Sequence, residues 1–169
     1  MATKTLKDIF EIISNELAVN TALTTWCQSS FGIQPTIIFG ADEIDLPQPT
    51  GLEIHIIPGA RSRTRQFAYR SYGLTISAII KDSSAAPPSE EGGSPESGGG
   101  ETGEIVPYTL DCLDKIDQFI SLIEEAVIPV LNKNGIVVTP SEGDEDVIAY
   151  PHTVAFLNYT LEVPSRLPL

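Results

Sequence analysis

The sequence predicts an α+β fold, a largely antiparallel sheet with helices packed on one face and a long β-hairpin. Three observations lead there. Residues 6–17 and 113–131 carry apolar side chains at three- and four-residue spacing, as one-sided helices do. Other segments alternate with a period of two or run apolar over a few residues, as strands do. The order is helix, strands, helix, strands, without the strict βα alternation of a parallel sheet.

The first helix follows from Leu6, Ile9, Phe10, Ile13 and Leu17, with Lys7, Asp8, Glu11 and Ser14 on the other side. Asn20 and Thr21 offer a stop and a new N-cap, so a short second helix through Leu23, Trp26 and Cys27 is expected to end near Gly32. Pro35 opens a strand at residues 36–39. A loop with prolines at 47 and 49 follows. Leu52, Ile54 and Ile56 alternate with Glu53, His55 and Ile57, which predicts a half-buried strand closed by Pro58 and Gly59. Arg61, Arg63 and Arg65 fall in a basic turn, and residues 66–81 are rich in aromatic and β-branched types, completing the hairpin. Gly73 marks a bulge or kink in its second strand.

Residues 82–106 are Pro, Gly, Ser and Glu with almost nothing apolar, too little to offset an ordering cost of about 1–2 kcal/mol per residue. They are expected to be a disordered acidic insertion within a single domain spanning 1–169. The long helix resumes after Pro107, with Leu113, Ile116, Ile120, Ile123, Val127 and Leu131 forming its apolar stripe and Asn134-Gly135 its stop; Pro129 can kink the last turn. Residues 136–139, 147–150 and an alternating run at 154–163 predict the remaining strands.

The charge distribution narrows the function classes. The formal net charge is −13, and residues 1–81 are balanced with seven acids and seven bases, so the excess lies wholly in the later segments. Such a chain is repelled at long range by nucleic acid and anionic membranes, and favours partners with basic patches. No apolar run approaches the roughly 20 residues that cross a bilayer, and the N-terminus has no secretory h-region, so the chain is expected to be made and kept in a cytoplasm. Cys27 and Cys112 are distant from each other and expected to be reduced and buried.

Motifs for chemistry are weak. Gly98-Gly-Gly100-Glu-Thr-Gly103 matches a dinucleotide pattern literally, yet it follows no strand, opens no helix and sits among glutamates that repel a pyrophosphate. His55 is read as a solvent-facing strand histidine, because Glu53 alone beside it falls short of the three or four ligands of a zinc site. Glu142, Asp144, Glu145 and Asp146 lack the ligand order of a calcium loop and read as a solvated hairpin turn. No catalytic, cofactor-binding or metal-ligating residue is assigned. The interface candidates are Arg61, Arg63, Arg65 and Arg70, whose planar forks suit carboxylates on a neighbouring protein, together with the acidic group Glu142, Asp144, Glu145 and Asp146.

The succession of an amphipathic helix, the segment Leu46-Pro-Gln-Pro-Thr-Gly-Leu-Glu-Ile-His-Ile-Ile57, a hairpin reaching Leu74-Thr-Ile-Ser-Ala-Ile-Ile80, a helix ending in Ile128-Pro-Val-Leu131 and a terminal Asn158-Tyr-Thr-Leu-Glu-Val163 resembles the tail-terminator family of long-tailed bacteriophages, relatives of the minor tail protein U of phage lambda. The likeness spans nearly the whole chain except 82–106 and rests on element order. It implies a structural subunit of the virion tail, assembled in the host cytoplasm: a hexameric ring that ends the tail tube and joins it to the neck. Its partners are further copies of itself, the tail-tube protein and a neck or connector protein, with DNA only passing through the channel, and with no cofactor and no membrane. A neck or head-completion protein is the nearest alternative. A small cytoplasmic enzyme with a carboxylate-lined pocket is the alternative of a different class.

Overall fold

The first helix, α1 (Leu6–Val19), begins at a reciprocal cap: the Asp8 backbone N–H donates to the Thr5 hydroxyl at 3.2 Å, while the Asp8 carboxylate accepts from the Thr5 backbone N–H at 2.6 Å. Those hydrogen bonds, the backbone one foremost, hold the Asp8 carboxyl below the usual carboxylate range. Asn20 ends α1 and starts α2 (Thr21–Phe31): its N–H donates to the Glu16 carbonyl at 2.9 Å and its Oδ1 accepts from the Leu23 N–H at 3.0 Å. Gly32, at φ 70°, closes α2 in the left-handed conformation that suits glycine. The computed structural model describes residues 4–40, 51–62, 69–81, 107–141, 146–149 and 152–164. The acidic insertion at 82–106, the glycine string within it and the loop at 41–50 lie outside the described residues.

The chain is an α+β protein with a mostly antiparallel sheet. Its strands are β1 (Thr36–Phe39), β2 (Leu52–Ser62), β3 (Tyr69–Lys81), β4 (Val137–Pro140), β5 (Asp146–Ala149) and β6 (His152–Pro164), in the order β1-β2-β3-β6-β4, with β5 also on β6. Only β1 and β2 run parallel. The third helix, α3 (Pro107–Lys133), buries Ile116, Phe119, Ile123, Val127 and Leu131 in one core with Ile9, Ile13 and Leu17 of α1 and with Ile54, Ile56, Ile76 and Leu161 of the strands. Two contacts fix how helices meet strands. The Tyr159 hydroxyl donates to Glu124 of α3 at 2.6 Å, and Phe10 of α1 stacks on Phe39 of β1 with ring centroids 5.8 Å apart.

Three expectations change. The β2 strand is buried on both faces from Leu52 to Ile56, where alternation had suggested one wet face. It also runs through Pro58 and Gly59 to Ser62, with a register shift between Pro58 and Arg61. The irregularity expected at Gly73 therefore lies in the strand beside it, and a Cβ on Gly59 would stand 3.0 Å from the Gly73 backbone. Finally, β4 and β5 run in the same direction along one edge of β6, Pro140 level with Tyr159 and Asp146 level with Ala155. The two short strands are thus not hairpin partners of each other, and residues 142–145 between them lie outside the described residues.

Candidate functional site

Pro35 admits the chain to β1, a four-residue strand that pairs with β2 through Thr36–Glu53 to Phe39–Ile56. Among the described strands β1 has a neighbour on one side only, so its other edge offers unused backbone donors and acceptors. Ile37 and Phe39 point to the same side of the strand, about 7 Å apart as alternate residues are. That side faces α1, and the seam between them opens into two hollows. One, of about 450 Å³, lies between Leu6, Phe10, Ser14 and Phe39, with the exposed Lys7–Glu11 ion pair (3.6 Å) at its rim. The other, of about 470 Å³, lies between Leu17, Ala18, Thr24, Pro35 and Ile37.

Apolar residues continue along this margin. Val19 is 72% exposed, Ile33 45% and Phe39 43%, while Val137 on the opposite edge of the sheet is 50% exposed. An open strand edge beside two apolar hollows at alternate-residue spacing can take up an extended chain, whose backbone pairs with the edge and whose side chains fill the hollows. The sequence did not single out Phe10 and Phe39, since both read as ordinary members of a helix stripe and a strand. Only the placement of β1 at an edge gives them exposure.

Among the described residues, the basic candidates Arg61 and Arg70 are not brought level with the acidic candidate Asp146. Arg61 stands level with Tyr72 beyond the register shift, and Arg70 is half-buried on β3, level with Val163. Asp146 opens β5, level with Ala155. Val163 and Ala155 are eight residues apart on β6, so the levels of Arg70 and Asp146 differ by about 27 Å along the strands. Arg63, Arg65, Glu142, Asp144 and Glu145 lie outside the described residues.

His55 is not solvent-facing. It is 1% exposed and Glu53 is 3% exposed, and His55 Nε2 lies 2.8 Å from Glu53 Oε2. The pair sits two residues apart on one side of β2, with Ser77 of β3 level with His55. His55 Nδ1 is buried with no hydrogen-bond partner. A pair so enclosed is an internal polar cluster, in which Glu53 meets one of the two imidazole nitrogens.

Both cysteines are buried and in no disulfide, and burial pushes the Cys27 thiol up to about 11. Among the described residues no three or more His, Cys, Asp or Glu side chains are grouped to hold a metal ion, and no helix is long and apolar enough to cross a membrane. The chain matches no protein-family model and no curated protein.

Proposed function

We propose that this chain is a structural subunit of a bacteriophage tail, a tail terminator that forms a hexameric ring and joins the tube to the neck. The reading begins in the order of elements along the sequence. The observation that carries it furthest is the pair of unlike outer edges among the described strands of one sheet: β1 with its apolar seam at one end, β4 and β5 with exposed Val137 at the other. Two unlike surfaces at opposite ends of a subunit suit a head-to-tail contact, in which one meets the other, and head-to-tail contacts close into rings when the rotation per subunit allows. The arginines at 61, 63, 65 and 70 then serve contacts to acidic partners, further copies or the tube and neck proteins, and no residue does chemistry.

Electron microscopy of the purified chain, alone and mixed with tail tubes assembled from the tube protein encoded beside it, tests this. Rings of six, free or seated at one end of each tube, are the expected result. A subunit that leaves tubes bare and forms no ring overturns the reading, as does a neighbouring gene set without tube and tape-measure genes.

A further inference from the structure

Resting on that ring reading, we infer that the seam between α1 and β1 receives the C-terminal segment Ser165-Arg-Leu-Pro-Leu169 of a neighbouring copy, added as a strand to the free edge of β1. Three observations converge on this occupant.

The first is spacing. One hollow is lined by Ile37 and the other by Phe39, alternate residues of one edge strand, and the segment after β6 carries Leu167 and Leu169 at the same alternate spacing. A strand laid along β1 with these leucines facing α1 places one in each hollow. Pro168, which lacks an N–H, then falls on an outermost strand, where proline is tolerated if its nitrogen faces away from the ladder.

The second is the chemistry of the seam. Its lining is largely apolar, from Phe10, Phe39, Leu17 and Ile37 with Ser14 and Thr24 among them, and the charged residues lining it among the described ones, Lys7 and Glu11, pair with each other. It therefore selects leucine-like side chains rather than the acidic ones that dominate the rest of this protein.

The third observation is reach, and it makes the contact intermolecular. In the sheet, β6 stands three strands from β1, about 14 Å across. Pro164 is level with Tyr69, seven residues along β3 from Ile76, which is level with Ile56 and so with Phe39; that separation is about 24 Å. The straight line is about 28 Å, whereas five residues span at most about 18 Å. Residues 165–169 of a chain fall short of that chain's own seam, so where this segment fills the seam it comes from another copy. Each subunit then gives a tail at one end and receives one at the other, the arrangement a ring requires.

The test is fluorescence anisotropy of a labelled peptide of residues 163–169 titrated with the full chain. To keep the natural tail from competing, the protein carries Leu167→Asp and Leu169→Asp. Saturable binding is expected. It weakens by about tenfold or more when either wall is altered, by Phe39→Ser or by Ser14→Phe, the size of effect for a lost anchor in a pocket. Circular dichroism shows that each variant is folded; using opposite walls keeps the test valid if one is not. The inference is overturned if the peptide does not bind, if it binds both wall variants as well as the parent, or if a peptide with both leucines replaced by aspartate binds equally. Ring formation on tubes is scored separately by microscopy. Rings without peptide binding sink this inference and leave the ring reading standing; peptide binding without rings does the reverse.

Discussion

His55 Nε2 lies 2.8 Å from Glu53 Oε2, and both side chains are almost wholly withdrawn from solvent. The two side chains share one contact away from water, so the loss of either leaves the other without it. Glu53→Leu is expected to cost about 1–3 kcal/mol by removing the carboxylate beside the imidazole Nε2, and His55→Phe a similar amount. The double variant is expected to lose less than the sum of the two single losses, since the shared contact is lost only once. Urea unfolding of the four proteins in this cycle decides it, and purely additive losses would contradict the coupling.

Ile123 is fully buried on α3 and Ile120 only half-buried. Ile123→Ala is expected to cost about 2–5 kcal/mol and Ile120→Ala clearly less, as large-to-small changes do when a site is only partly enclosed. Ile123→Asp should leave no folded protein. Thermal unfolding of the three variants ranks them, and a stable aspartate variant is incompatible with the phase of this helix.

Gly59 and Gly73 face each other across β2 and β3 at the register shift. A methyl group on Gly59 would meet main-chain atoms of Gly73 at 3.0 Å, and backbone cannot swing aside as a side chain can. Gly59→Ala is expected to destabilise by about 1–3 kcal/mol, the range for overpacking, while Gly32→Ala acts through its positive φ alone with no steric clash. Equal chemical denaturation midpoints for Gly59→Ala and the parent would remove this contact from the account.

The Cys27 thiol, raised from 9.0 to about 11 by burial, keeps its proton more tightly in the folded chain than in the unfolded one. The sign follows: its contribution to stability is whole below pH about 9 and is lost as pH rises toward about 11. At pH 8 neither Cys27 nor the equally buried Cys112 should react with a disulfide reagent in native buffer, and both should react in guanidinium. A fast native phase in the absorbance trace would show that one of them is reachable.

The helices were legible because their signals are local. Asn20, Gly32 and Gly135 act on residues within one turn and stand where the sequence places them, while the Thr5–Asp8 cap was not singled out although its signal is as local. The alternation of β6 was equally plain, since one of its faces is buried residue by residue. Burial of Glu53 and His55 was not legible. A polar residue in an alternating run reads as wet, and only the central position of β2, paired on both sides, removes it from water. The same holds for Phe119, whose stacking on Trp26 at 5.5 Å depends on where α2 lies against α3. The edge seam was hidden for a related reason: which strand ends a sheet is set by pairings among distant segments, and β1 carries no mark of it.

Along β6, the residue numbers of β4 and its partners sum to one value and those of β5 and its partners to a value two higher, from Pro140 opposite Tyr159 to Asp146 opposite Ala155. The surplus is even, so even-numbered residues of both short strands stay level with odd-numbered residues of β6. The register of β5 is held from its other end, where Ala149 stands level with His152 and only two residues join the strands. Which face each β5 side chain takes is thus decided by its connection to β6, and a change in the number of residues between β4 and β5 leaves that facing as it is.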